Sequence, residues 1–161
     1  MRWFLLVVAL IFVGCSTKKI EPSLVKPDKR YLEALRYTQK CDIALSLENK
    51  ALMIATYLNP LEKSDKERFL VRIYIDNDYE DQNRSGLYHP GYALRLNAQA
   101  PRKIISVKNQ DKVLEDMPFK QPWYKFYIVE FKKSDTKDLT LTLSHKNYGA
   151  CSVTFQNSSI Y

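Results

Sequence analysis

Residues 139–144 read LTLTLS, with leucine at every second position and Thr or Ser between. Successive side chains of a β-strand point to opposite faces, so this alternation predicts a strand that is buried on one face only. Cys151, Val153 and Phe155 repeat the same spacing further along the chain. The intervening Asn147-Tyr148-Gly149 is typical of a turn, and together the two stretches predict an antiparallel hairpin.

The alternation recurs in several other segments of the chain. Their inward residues are expected to be Phe69, Val71, Ile73 and Ile75; Tyr92, Leu94 and Leu96; and Trp123, Tyr127, Val129 and Phe131. Ile104, Ile105 and Val107 are expected to form a further short strand. Six to eight short strands separated by polar turns predict an all-β fold, an antiparallel β-sandwich of the immunoglobulin-like or C2-like kind. We expect one such domain over residues 28–161, since this length suffices for a single core.

The segment before these strands allows two interpretations. Residues 28–38 place Tyr31, Leu32 and Leu35 at helical spacing behind Asp28, which predicts a short N-terminal helix. Residues 41–58 favour a hairpin that turns near residues 48–50, with Cys41, Ile43, Leu45 and Leu47 directed inward. The alternative is one helix continuing from residue 29 to residue 57, because the same leucines and isoleucines also fit a helical stripe roughly.

Three cysteines occur in the chain. Cys41 and Cys151 are both in phase with the apolar residues of their strands, so both are expected to face the core. A disulfide between them is the favoured interpretation, and two free buried thiols are the alternative, because spacing alone does not establish that their Cα atoms lie within about 7 Å.

The third cysteine follows an apolar N-terminal segment. Arg2 precedes an uninterrupted apolar run over residues 3–13, which is shorter than the roughly 20 residues of a bilayer-spanning helix. Phe12-Val13-Gly14-Cys15 resembles the lipobox of bacterial lipoprotein signal peptides. The resemblance implies that residues 1–14 are a removed signal peptide and that Cys15 is acylated. Residues 15–27, polar and with two prolines, are then a tether that reaches about 40 Å at most.

Further blocks resemble the strands of small uncharacterised outer-membrane lipoproteins of Gram-negative bacteria, a likeness that implies no particular activity. These blocks cover residues 55–59, 69–76 and 152–156. The residue after Cys15 is Ser16, and the lack of an Asp there favours the outer membrane over retention in the inner membrane. We therefore expect a lipid-anchored domain that faces the periplasm, with exposure at the cell surface as the alternative.

The chain is basic, with a formal charge of +7 that becomes +6 once Arg2 is removed. No nucleic-acid recognition motif accompanies this charge, so nucleic acid is not an expected partner. An excess of basic over acidic side chains most often consists of solvated surface lysines. Anionic lipid headgroups are the expected neighbours of an exported lipoprotein.

Residues 76–84 form a polar loop with a cluster of carboxylates at Asp76, Asp78, Glu80 and Asp81. Hard cations such as calcium are held by several oxygen ligands, and a loop of this kind on a C2-like sandwich could bind calcium or an anionic lipid headgroup. The spacing does not match an EF-hand, and a solvated loop is the commoner outcome. These four residues are a weak candidate for a cation site.

Catalytic patterns are sparse. His89 and His145 are the two histidines, each in or beside a turn, and the chain has no G-x-S-x-G motif. An enzyme would need, at the least, a concave pocket with one of these imidazoles beside carboxylates. The aromatic residues 123–131 are expected in the core, with an exposed platform for a glycan or a partner as the alternative.

The sequence thus predicts no catalytic residues, no metal and no cofactor. The expected function is that of a membrane-anchored, non-enzymatic envelope lipoprotein with a structural or protein-interaction role. Its expected partners are the membrane, through the lipid on Cys15, and an envelope protein that contacts a face or an edge strand of the sandwich. The alternative is a ligand-binding module that uses the acidic loop.

Overall fold

The computed structural model describes residues 28–158. Within this range the chain forms one helix of eight residues and eight strands. In chain order they are α1 (Lys29–Arg36), β1 (Thr38–Leu45), β2 (Glu48–Tyr57), β3 (Glu67–Ile75), β4 (Tyr92–Leu96), β5 (Lys103–Val107), β6 (Lys125–Phe131), β7 (Asp138–His145) and β8 (Gly149–Gln156). Short 3-10 helices occur at Gln82–Arg84, Gly86–Tyr88 and Lys112–Leu114.

The strands form two sheets that face each other. The five-stranded sheet has the order β1-β2-β3-β6-β5 and the three-stranded sheet the order β4-β7-β8. Every strand pair is antiparallel. The prediction of an all-β antiparallel sandwich behind a short helix is confirmed, and residues 41–58 are the hairpin β1–β2 rather than a helix.

The main core lies between the sheets and consists of the alternating residues of both. Its centre is an aromatic cluster in which the Phe69 ring lies 5.0 Å from that of Tyr57, 5.9 Å from that of Phe131 and 5.5 Å from that of Phe155. Leu139, Leu141 and Leu143 of β7 are completely buried here. The strict leucine alternation of residues 139–144 therefore does mark the inward face of a strand, as the pattern predicts.

A second apolar layer covers the outward face of the five-stranded sheet. Ala34 of α1 packs there with Leu114 and Met117 of the segment 108–124, over Leu70 and Phe126 of the sheet. The side chain of Asp28 accepts a hydrogen bond from the Arg30 N–H and caps α1. Within residues 28–158 no helix is long and apolar enough to cross a membrane.

Some residues that the sequence predicts to point into the core are on the surface instead, and each has a geometric reason. Leu45 and Leu47 are exposed because the β1–β2 hairpin projects beyond the last inward row of the core, which is formed by Ile43, Ala51 and Ile75. The hairpin turns at residues 46–47, with a positive φ of 57° at Ser46, and not at residues 48–50.

Trp123 is 61% exposed because it precedes β6, which begins at Lys125, so strand alternation does not apply to it. Ile105 lies on the outward face of an edge strand and is also exposed. Of the other aromatic residues of this stretch, Phe126, Tyr127 and Phe131 are buried as predicted, and Tyr124 is half-buried.

Candidate functional site

Several strand termini meet at one end of the sandwich and bring together residues that are far apart in the chain. Lys50 lies near the start of β2, Asp76 follows β3, Tyr92 begins β4, His145 ends β7, and Tyr148 lies in the turn before β8. These residues, with His89, Ile75 and Asn77, line a pocket of about 160 Å³. We call it the imidazole pocket.

A continuous row of five rings crosses this end of the molecule. Its successive centroid distances are 4.9 Å from Tyr79 to His89, 5.1 Å from His89 to Tyr92, 4.6 Å from Tyr92 to His145 and 4.2 Å from His145 to Tyr148. The last pair is stacked nearly parallel, at 12°. Such contacts fix the orientation of the rings as well as burying apolar area.

Gly91 allows the two imidazoles to approach each other across the chain. A Cβ atom at this position would lie 2.5 Å from His145 Nε2 and 3.0 Å from His89 Cε1. A side chain here would displace at least one ring, so the glycine is required by this close approach.

Backbone donors set the proton positions of both imidazoles. The Gly91 N–H donates to His89 Nδ1 at 2.9 Å, and the Asn147 N–H donates to His145 Nδ1 at 3.1 Å. A nitrogen that accepts a hydrogen bond carries no proton, so the neutral rings hold theirs on Nε2. Partial burial, reinforced by the nearby His89 and Lys146, lowers the pKa of His145.

Lys50 places a fixed positive charge at the rim of the pocket. Its Nζ lies 2.5 Å from Glu48 and 3.1 Å from Asp76, and these hydrogen bonds raise the pKa of Lys50 above its ordinary value. The Tyr92 hydroxyl donates to the Lys50 carbonyl, and partial burial raises the pKa of Tyr92 to about 12. Both groups therefore keep their protons at neutral pH, and neither can serve as a general base there.

The carboxylates of the acidic loop, residues 76–84, contact different partners. Asp76 pairs with Lys50, Asp78 accepts from the Gly86 N–H and from Lys125 Nζ at 2.8 Å each, and Asp81 caps the Asn83 N–H. Glu80 is exposed. Between residues 28 and 158 there is no group of three or more His, Cys, Asp or Glu side chains that could hold a metal ion. The four predicted cation ligands thus do not form one cluster.

The pocket does contain imidazoles beside a carboxylate, which is the minimum arrangement that an enzyme would require. In a catalytic triad a carboxylate orients the histidine by accepting from its Nδ1–H. Here each Nδ1 instead accepts from a backbone N–H, and Asp76 is engaged by Lys50. His89, His145 and Asp76 therefore do not have the carboxylate–Nδ1 contact of a catalytic triad.

Acidification is expected to destabilise the fold through His145. Its pKa is lower in the folded chain than the ordinary value of about 6.5, so the unfolded chain binds more protons as the pH falls below that value. Stability is then lost towards lower pH. His145→Asn keeps an acceptor for the Asn147 N–H without a titrating ring, and its melting temperature should fall less than that of the wild type between about pH 7.5 and about pH 5.

Lys146→Gln serves as the graded comparison for that experiment. Removing the neighbouring cation should relieve part of the pKa shift and give an intermediate pH dependence. Equal falls in melting temperature for the wild type and His145→Asn would contradict this assignment.

A projecting hairpin lies beside the imidazole pocket. Residues 45–47, which we call the hairpin tip, end three residues before Lys50, and the side chain of Leu47 is fully exposed. Leu45 is 49% exposed. The alternation in the sequence predicts both leucines in the core, so it does not indicate that they form an exposed surface at the hairpin tip.

A disulfide holds the strand that carries the hairpin tip. Cys41 of β1 and Cys151 of β8 are bonded, with their Cα atoms 5.7 Å apart, and the bond joins an edge of one sheet to an edge of the other. The Gln39 side chain also donates to the Thr154 carbonyl and accepts from the Thr154 N–H. The β1–β8 edge is thereby closed, and the hairpin has a rigid base.

Cys15, the predicted lipidation site, lies outside the described residues, as do the signal peptide and the tether. No protein-family model, no curated protein and no solved structure matches the chain.

Proposed function

We propose that the chain is a lipid-anchored envelope lipoprotein of the outer membrane, with its domain in the periplasm, and that it is a non-enzymatic protein-interaction module. The observation that carries the proposal of protein interaction is the hairpin tip, where Leu45 and Leu47 are presented to solvent at the end of a cross-linked hairpin. The anchor is inferred from the lipobox-like residues 12–15.

Leu47 at the hairpin tip contributes nothing to the packing of its own chain, and Leu45 is half exposed. A two-residue turn is normally built from Gly, Asn or Asp, whereas this one has Ser46 at a positive φ followed by Leu47. Apolar side chains that a rigid scaffold holds in water are characteristic of interaction sites, and binding energy is concentrated in a few such anchors.

The surroundings of the tip suit a protein partner. The imidazole pocket adds aromatic faces and the paired charges of Lys50, Glu48 and Asp76 beside the two leucines. Interfaces commonly combine an apolar anchor with a polar rim of this kind. The partner we infer is an envelope protein with an apolar cleft that receives Leu47 and hydrogen-bonding groups that reach the pocket rim.

The disulfide supports export from the cytoplasm. Disulfides form and persist in oxidising compartments such as the periplasm and are rare in the cytosol. Cys41 and Cys151 are brought together from strands that are 110 residues apart in the sequence. This agrees with an N-terminal signal that directs the chain out of the cytoplasm.

Leu47→Ser tests the interaction directly. We expect the full-length lipidated protein, cross-linked in membranes and purified, to retain a stoichiometric envelope protein, and Leu47→Ser to bind that protein about tenfold more weakly. The melting temperature should be unchanged, because Leu47 has no packing to lose.

Ile105→Ser is the control, since Ile105 is a partly exposed apolar residue on the far edge strand of the five-stranded sheet. It should keep the partner at the wild-type level. Equal recovery of the same partner with Leu47→Ser and with the wild type would exclude the hairpin tip as the binding surface.

A further inference from the structure

Helix α1 has a second side that is only partly covered in the described part of the chain. Ala34 is completely buried against the sheet, whereas Leu32 is 46% and Leu35 is 39% exposed. These two leucines are three residues apart, so they lie on the same side of the helix. Lys29 and Arg36 flank them at the two ends of α1 and are exposed.

The segment 108–124 continues this surface across the outward face of the five-stranded sheet. Leu114 and Met117 belong to the same buried layer as Ala34, so the segment and α1 cover the same face of the sheet. Two of its aromatic side chains point away from that layer, Phe119 at 41% and Trp123 at 61% exposure. We call Leu32, Leu35, Phe119 and Trp123 the apolar patch.

The backbone at Phe119 indicates that its exposure is imposed by the fold. Its φ is 60°, in the left-handed region that a bulky side chain rarely adopts. A strained residue of this kind persists only where the surrounding structure determines it, and here the strain places an aromatic ring in solvent.

The charge of the neighbouring chain indicates what the apolar patch contacts. Residues 15–36, from the predicted lipidation site to the end of α1, contain six Lys or Arg and three Asp or Glu side chains. Basic residues that border apolar and aromatic side chains are characteristic of surfaces that lie on anionic membranes. Tryptophan in particular is favoured at the boundary between headgroups and acyl chains.

We propose that the apolar patch rests on an anionic phospholipid bilayer, so that the outward face of the five-stranded sheet lies against the membrane. The proposal extends the lipid anchor of the proposed function. A tether of about 40 Å keeps the domain within reach of the leaflet that holds the lipids of Cys15. At the resulting high effective concentration, a contact that is weak for a free protein suffices to orient the domain.

This orientation places the other sheet on the side that faces away from the membrane. The outward side chains there include Thr140, Thr142, Ser152 and Thr154, which hydrogen-bond one another in pairs across β7 and β8. The hairpin tip projects from an end of the sandwich and stays accessible to a partner. Both proposed surfaces can therefore be occupied at the same time.

Trp123 provides the test, because it is the sole tryptophan once the segment that contains Trp3 is removed. The full-length protein is purified from membranes, its acylation is verified by mass, and it is reconstituted into vesicles of phosphatidylethanolamine and phosphatidylglycerol with or without brominated acyl chains. We expect brominated lipid to lower the Trp123 emission by about twofold or more, and to quench less when phosphatidylcholine replaces phosphatidylglycerol.

Two variants separate the apolar patch from the rest of the surface. Leu32→Ser combined with Leu35→Ser should abolish most of the quenching while the protein stays in the vesicles through its lipids. Leu47→Ser changes a more exposed leucine, at the hairpin tip, and should leave the quenching unaltered. Acylated, vesicle-bound protein whose Trp123 emission is insensitive to brominated lipid would overturn the proposal and leave the anchor intact.

A protein purified without acyl groups on Cys15 would refute the anchor instead. The processed chain is then added to the same vesicles from solution. Quenching of Trp123 that requires Leu32 and Leu35 would support the apolar patch as a membrane surface in its own right, and no quenching would overturn it.

Discussion

Replacing both Cys41 and Cys151 with alanine is expected to lower the free energy of unfolding by roughly 4–5 kcal/mol, because the bond closes a loop of 110 residues. The cross-link stabilises the fold chiefly by restricting the unfolded chain, and the entropy that it removes grows with loop length. A domain of this size has a total stability of about 5–15 kcal/mol, so the loss is a large fraction of it.

Urea unfolding of the double variant and of the wild type, with and without a reducing agent, measures this effect. The reduced wild type should unfold at nearly the same urea concentration as the double variant, whereas the variant should not respond to the reductant. A loss of less than about 1 kcal/mol would show that the bond contributes little to stability and that the Gln39–Thr154 contacts and the core hold the β1–β8 edge by themselves.

Cys15→Ala is expected to have the largest effect on location. The lipids on a lipoprotein cysteine supply several acyl chains, and more than one chain is needed for a stable anchor. Without that cysteine the protein should be recovered either in the soluble fraction or as an unprocessed chain that retains residues 1–14. Fractionation of inner and outer membranes, with labelling by a radioactive fatty acid, distinguishes these two forms from the lipidated wild type.

Ser16→Ala is the control for that variant, because it alters the neighbouring position and keeps the thiol that we propose to be acylated. It should be labelled and should fractionate with the outer membrane. Recovery of Cys15→Ala in the outer membrane with undiminished lipid label would contradict the anchor.

The strands were predictable because their signal is local. Leu139, Leu141 and Leu143 alternate with polar residues over a whole strand, and burial on one face is the physical cause of that pattern. The same rule failed for Leu45 and Leu47, since alternation shows which face a side chain takes but not where the opposite sheet ends. The exposure of the hairpin tip could therefore be recognised only from the three-dimensional arrangement of the two sheets.

The imidazole pocket was not predictable for a related reason. His89 and His145 are 56 residues apart and were each assigned correctly to a turn or a strand end. Their meeting depends on the pairing of β4 with β7, which places Tyr92 opposite His145. Pairing between distant strands produces no periodic pattern in a single sequence. The need for a glycine at position 91 follows only from the two imidazole rings that approach it.

Buried polar side chains are a third feature that a pattern of apolar residues does not reveal. Glu67 is completely buried at the start of β3, where it accepts hydrogen bonds from the Tyr57 hydroxyl at 2.6 Å and from Asn59 Nδ2 at 3.0 Å. Arg72 is buried on the opposite face of the same strand and donates to Thr56, and burial lowers its pKa to about 10. In the sequence both resemble surface residues of a half-exposed strand.

We propose that the domain is held at a membrane by lipids on Cys15, and the intact mass of the protein purified from membranes tests this anchor. We expect a chain that begins at Cys15, lacks residues 1–14, and is heavier than the polypeptide by the mass of acyl chains that map to Cys15 after digestion. A chain that retains Met1 or carries an unmodified Cys15 would contradict it.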